Sequence, residues 1–411
     1  MTIGKLWVIA FRDLGRNRRR SILTGGAVAL GTMLTIMMSS YMSGMLYGTV
    51  QNGIRLQTAH VQIREESYIR ERLSLLPEDL LDDTGGLETQ AGGLQEVDTA
   101  TPVLWGSGVL STLHDTVGLQ VHGIDPTSAI HDPIREGIVS GEFLEADDRG
   151  GILMGKGLAD DLGIGVGQRV SLMLGNADGR PEEGIFTIRG IFDTEVPSYD
   201  DNTVFMPLSK AQAFTRNDGH ASAILILLHS EDESEQVAAT LKTDLNKTLT
   251  WQEMNSILLE TVEQNMSFYY MLYGIVMLVV AVVVANALLM AVFERTREIG
   301  ILASLGMKRG QIILMLLLEA AALALIGVAV GVVLGSIGTL YFQNAGIYFG
   351  DMMSGAFSSN IPVGSYIYFR LVPADVIGLA TWTLIITLLA SLYPAWFASR
   401  LEPVEALRAA K

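Results

Sequence analysis

The chain has 411 residues, 49% of them hydrophobic and only 18% charged, with a mean hydropathy of +0.35, a balance that points to a membrane protein carrying a sizeable soluble part. Its net charge of −16 argues against nucleic acid as a partner, and the absence of cysteine excludes disulfides, a lipobox anchor and thiolate metal sites. The charge is unevenly placed: residues 47–265 hold 36 acidic and 14 basic residues, while the remainder is net positive.

Residues 1–20 are short and basic, with Lys5, Arg12, Arg16, Arg18, Arg19 and Arg20. Leu6, Ile9, Ala10 and Leu14 recur at helical spacing, so an amphipathic helix on the cytoplasmic membrane face is expected, which is also the basic flank of the first span. Residues 21–46 carry no charge and are long enough to span. The apolar run is too long for the core of a signal peptide, so it reads as an uncleaved first span.

Residues 47–265 read as a soluble α+β domain large enough for its own core and for two subdomains, with a Gly-rich, β-biased insert near 115–200. Strands are expected at 60–64, 103–113, 119–123, 151–154, 169–174, 184–192 and 223–229. Helices are expected at 78–82, 157–162, 210–215 and 233–245. Residues 266–293 form the second span. The helical pattern begins at Gln252, and one helix from there to Phe293 would be ~60 Å long, about twice the hydrocarbon thickness, so the excess would project as a stalk.

Residues 294–310, within the run ERTREIGILASLGMKRGQI, place charge between two uncharged stretches. Ile299, Ile301, Leu302 and Leu305 suit a short helix at the membrane surface, and Gly306 suits its C-terminal stop. From the pattern alone two readings stand: a loop whose Arg and Lys set topology, and a docking helix for a soluble partner. Residues 311–342 are the third span and contain Glu319, the one carboxylate well inside a span; a structural partner role is favoured over a proton path. A short external loop, 343–371, leads to the fourth span, 372–399, and a tail, 400–411. Of the 14 basic residues outside 47–265, all but Arg370 fall in the N-terminus, the 294–310 loop and the tail, which predicts cytoplasmic termini and an external 47–265.

Other motifs are weak. Gly150 to Gly157 imitates a phosphate-binding loop, but Gly157 stands where Ser or Thr would hold Mg²⁺, so a strand followed by a turn and helix is expected. Gly163-Ile164-Gly165-Val166-Gly167 reads as a tight turn. The six histidines form no HExxH pair, there is no nucleophile elbow, and the Asp pairs at 82, 147, 160 and 200 lack EF-hand spacing. No catalytic residue, metal site or directly bound cofactor is expected.

The 294–312 run resembles the coupling-helix signature of FtsX-like permeases, the membrane subunits of MacB-type and lipoprotein-releasing (LolC/LolE-like) ABC transporters. Residues 10–20 (AFRDLGRNRRR), Leu392-Tyr393-Pro394-Ala395-Trp396 and Glu402-Pro403-Val404-Glu405-Ala406-Leu407-Arg408 resemble the opening and closing segments of that family. Residues 60–63 (HVQI) resemble the lipoprotein-releasing branch. The resemblance implies four spans with a periplasmic MacB-like core domain between the first two, in the bacterial inner membrane. It implies a separate ABC ATPase that holds ATP and Mg²⁺ and docks on Glu294, Arg295, Arg297, Glu298, Ile301, Leu302, Leu305 and Gly306. It further implies a second permease copy or paralogue, contact with membrane lipid, and a lipoprotein chaperone or adaptor outside. Three functions stay open: lipoprotein release, export through an adaptor and outer-membrane duct, and regulation of a cell-wall hydrolase.

Overall fold

The computed structural model describes residues 18–148, 150–243, 245–350 and 361–400, and at 18, 20, 257–258 and 261–265 it describes backbone only. The expected amphipathic helix therefore lies outside the described residues except at 18–20, as do residues 351–360 of the external loop and 401–411 of the tail. The described chain divides into two compact units. One takes residues 18–45, 262–347 and 368–400; the other takes Leu46–Thr261 and Tyr348–Ile367.

The first unit is helical. Its apolar runs fold as four helices long and apolar enough to cross a membrane, with span stretches Ser21–Thr58, Met266–Glu294, Arg309–Ala345 and Pro373–Ser399. In hydrocarbon a helix satisfies its own backbone within one segment, and predominantly apolar runs of this length fold that way. Small residues decide the packing. Gly327, Gly331 and Gly335 recur every fourth residue on the third span helix and meet the first span helix. A Cβ at Gly327 would lie 2.8 Å from the Gly25 carbonyl oxygen, and one at Gly331 would lie 2.6 Å from that of Ala29. Such close backbone approach replaces the hydrophobic drive that lipid does not supply. Polar side chains in the spans bond back to their own helix: Thr32 Oγ1 donates to the Val28 carbonyl at 2.8 Å and Thr387 Oγ1 to that of Thr383 at 2.8 Å.

The second unit is α+β. Its strands are β1 (Val61–Glu65), β2 (Val97–Ser111), β3 (Thr116–Ile124), β4 (Ile138–Gly141), β5 (Gly151–Gly155), β6 (Arg169–Gly175), β7 (Pro181–Phe192), β8 (Thr203–Pro207), β9 (Ala223–Leu228) and β10 (Asn246–Thr250). They form one sheet in the order β10-β1-β9-β2-β3-β8-β5-β7-β4, with β6 bridging β2 and β7. The long β2 serves two halves: it pairs with β9 over 97–103 and with β3 over 104–111. A smaller core of Val61, Ile63, Val97, Ile224 and Ile226 backs the first half, with Val237 and Leu241 from the Ser234–Leu241 helix. A larger core around Trp105, Ile152, Phe186, Phe192 and Phe205 fills the second. The strands of 116–192 all belong to this one sheet.

Several boundaries differ from the expectations. The helix expected at 78–82 is a single 3-10 turn, Pro77–Asp79; the helix forms at Thr84–Gly92, where Asp83 Oδ1 accepts from Gly86 N at 3.0 Å and caps its start. The helix expected at 233–245 ends at Leu241, because Asn246–Thr250 pairs antiparallel with β1. Strands β4, β8 and β10 were not expected. The stalk helix is broken at Asn255: Trp251–Met254 forms a short turn capped by Thr250 and Glu253, and Ser256–Glu294 follows as 39 residues, about 58 Å. The Gly-rich imitation of a phosphate loop is a strand followed by a helix, β5 and Lys156–Leu162. Gly155 serves close packing, since a Cβ there would fall 1.9 Å from the Asp200 carbonyl oxygen.

Candidate partner-docking site

The charged run between the second and third spans folds as a separate helix, Thr296–Ser304. The second span helix stops at Glu294, and Arg295 leaves helical geometry at φ −109°, ψ 17°. The third span helix begins at Arg309. The helical part is thus nine residues, shorter than the expected 294–310. Its C-terminus closes as a Schellman motif: Gly306 N donates to the Ala303 carbonyl at 3.0 Å and Met307 N to that of Leu302 at 3.1 Å. Gly306 takes φ +90°, which only glycine adopts without strain, so it stops the helix as its position suggested. The turn then restarts the chain, with Lys308 N donating to Gln311 Oε1 at 3.0 Å.

The helix has two faces. Ile299 and Gly300 are buried, and Ile299 packs with Val292, Ile312, Leu316, Ala395 and Ala398. The other face carries Arg297 and Glu298 together with Ile301, 42% exposed, and Leu305 at its C-terminal end, 79% exposed; Glu294, exposed, ends the preceding helix, Gly306 is exposed and Leu302 is half-buried. Charges beside uncovered aliphatic side chains are what a protein groove can grip.

Arg295 is placed differently from the other expected docking residues. It is 6% exposed, and its Nη1 lies 3.4 Å from Oε2 of Glu319, itself 3% exposed. It therefore offers no open charge. Instead it joins the break before the short helix to the third span helix, and it gives Glu319 the structural partner expected for an intramembrane acid. Arg295 stands two residues from Arg297 in sequence, and nothing in local charge spacing separates their roles.

Of the basic residues expected at the membrane surface, Arg12 and Arg16 lie outside the described residues, Arg18 and Arg20 fall in the first helix, and Arg19 is exposed. The histidines do not converge on one site. His60 Nδ1 accepts from Leu228 N at 2.9 Å, His220 pairs with Asp82 at 2.9 Å, and His122 and His131 are buried in the larger core region. Among the described residues no cluster of three or more His, Cys, Asp or Glu is arranged to hold a metal.

Two family models match the chain: the MacB-like periplasmic core domain over residues 21–244 and the FtsX-like permease C-terminal region over 270–403. The short helix lies inside the second match. The lipoprotein-releasing system transmembrane protein LolC of Neisseria meningitidis is 25% identical over 403 residues, covering 93% of this chain and 92% of that protein. LolC of Xylella fastidiosa is 25% identical over 270 residues, 62% of this chain, and the chain spans 64% of that relative's length. The periplasmic region of MacB from Actinobacillus actinomycetemcomitans aligns with 51% of this chain and 97% of its own length, at 12% identity and a TM-score of 0.36.

Proposed function

The chain belongs to the FtsX-like permeases with a MacB-like periplasmic core domain, and on that premise we propose that it is the permease subunit of an ABC transporter that converts the closure of a separate ATPase into movement of its α+β unit. The observation that carries this reading is the two-faced helix Thr296–Ser304. One face is seated on the span helices through Ile299, and the other leaves Ile301 and Leu305 open beside Glu294, Arg297 and Glu298. A partner gripping that face would push on a rigid support. The helices Arg18–Gly53 and Ser256–Glu294 are 36 and 39 residues long, so displacement of their ends has a long helical carrier. ATP and Mg²⁺ would sit on the partner, and no chemistry is assigned to this chain.

Positive flanks keep both termini on the cytoplasmic side of a bacterial inner membrane and the acidic α+β unit outside. Release of lipoproteins from that membrane is the favoured task, because the LolC relatives bear that name and one of them matches nearly end to end. A second permease copy or paralogue completes the assembly.

The test is the double variant Ile301→Asp, Leu305→Asp. Both side chains are exposed, so insertion and folding should survive. Two carboxylates forced into an apolar grip should weaken partner binding more than about 100-fold, equivalent to ~3 kcal/mol. A variant that co-purifies its ATPase at wild-type stoichiometry and supports its activity would overturn the reading.

A further inference from the structure

A second cluster in the α+β unit has no part in the docking face. β1 ends in a turn that carries Arg70, and both Arg64 and Arg70 lie against the ring of Trp105. Their Cζ atoms are 5.6 Å and 4.6 Å from its centroid, and Arg64 is also 5.8 Å from that of Tyr68. Arg64 is only 7% exposed and Arg70 is half-buried. Protein acceptors use few of their donors. Arg64 gives Nε to Gln62 Oε1 at 2.7 Å, with Nη2 on the same oxygen and 3.5 Å from Met254 Sδ. Arg70 gives Nη1 to the Gln57 carbonyl at 3.0 Å. No carboxylate oxygen lies within 4.0 Å of either guanidinium among the described residues, although Glu71 adjoins Arg70 in sequence.

Two like charges on one indole are poorly served by these contacts. Desolvation and each other's proximity hold the Arg64 guanidinium down at about 10. Cation–π contact offsets only part of the penalty for burying an ion. Trp105 also forms a wall of a cleft lined by His122, His131, Tyr199, Gln57 and Arg55. His131 is 4% exposed, and its Nε2 has no hydrogen-bond partner among the described residues. Arg64 and Arg70 do not line the cleft themselves; Trp105 is common to the arginine pair and to the cleft.

We propose that Arg64 and Arg70, on the Trp105 face beside this cleft, form a binding site for a phosphate-type oxyanion. The planar donor forks of arginine match tetrahedral phosphate oxygens, and a dianion cancels two charges where a carboxylate cancels one. Inorganic phosphate and a phospholipid headgroup both present tetrahedral phosphate oxygens, the headgroup's diester as a monoanion.

The experiment uses the full chain in a maltoside detergent and follows thermal unfolding at matched ionic strength. One arm adds inorganic phosphate against chloride; the other adds phosphatidylglycerol against an uncharged lipid. Phosphate should raise the midpoint of the wild type, with an apparent affinity at least about tenfold weaker in Arg70→Gln, which keeps an amide to reach the Gln57 carbonyl. A rise with phosphatidylglycerol alone, lost in the same variant, identifies the headgroup as the source. Arg70→Lys keeps the charge without the fork and guards against a misfolded Gln variant; it should also bind more weakly. The proposal is overturned if neither additive moves the wild-type midpoint, or if the folded Arg70 variants respond as the wild type does.

Discussion

Arg295 and Glu319 face each other at 3.4 Å between Nη1 and Oε2, one at the break before the short helix and the other inside the third span helix, with both side chains almost wholly buried. The pair ties the break before the short helix to the third span helix. Removing one partner of a buried pair leaves a charge without compensation, at a cost of about 3–5 kcal/mol. Glu319→Ala and Arg295→Ala should each lower the unfolding midpoint of the detergent-solubilised chain. The double variant Arg295→Met, Glu319→Leu should recover most of the loss, because apolar replacements remove both charges together. Single variants as stable as the double would show that the pair does not couple.

Gly306 ends the short helix at φ +90°. Apart from its chain neighbours, no atom of the described residues lies within 4 Å of a Cβ built there, so the cost is conformational. Gly306→Ala should cost about 1 kcal/mol, Gly306→Val more, and Gly306→Asn least, because asparagine tolerates left-handed geometry. Hydrogen exchange of the 296–304 amides should rise in the order Asn, Ala, Val. An equal response to all three would mean that the left-handed turn is not what holds the helix end.

His122 and His131 are buried, and desolvation presses their imidazoles down to about 3 and about 4. Each is neutral in the fold at pH values where the unfolded chain, at 6.5, takes up a proton. The unfolded state therefore binds more protons, and stability present above pH 6.5 is lost as pH falls toward 4, by up to about 1.4 kcal/mol per pH unit for each group. Asp200 works against this: burial raises its carboxyl to about 7, so its contribution is present below its ordinary 3.8 and is lost as pH rises toward 7. Unfolding of the full chain between pH 4 and pH 7 should show a net acid loss. His122→Phe, set among Trp105, Tyr199 and Phe205, should flatten that slope. An unchanged slope in the variant would exclude His122 as its source.

Four long apolar runs, a charged loop between the second and third, and an acidic middle segment determined four helices long enough to span a membrane and a separate α+β unit. Hydrocarbon allows little else, and hydropathy is a local property. The helix stop at Gly306 was equally local, since a glycine after an amphipathic turn has one common use. Tertiary structure decided what depends on partners distant in sequence. Leu241 ends its helix because residues 246–250 find β1, almost two hundred residues earlier, as a pairing edge. Residues 203–207 become a strand because β3 and β5 flank them. Arg295 and Arg297 belong to the same charged run, yet one is buried on Glu319 and the other is exposed. Arg295 sits at the break before the short helix and Arg297 in its first turn, and composition and spacing do not encode which of the two meets Glu319.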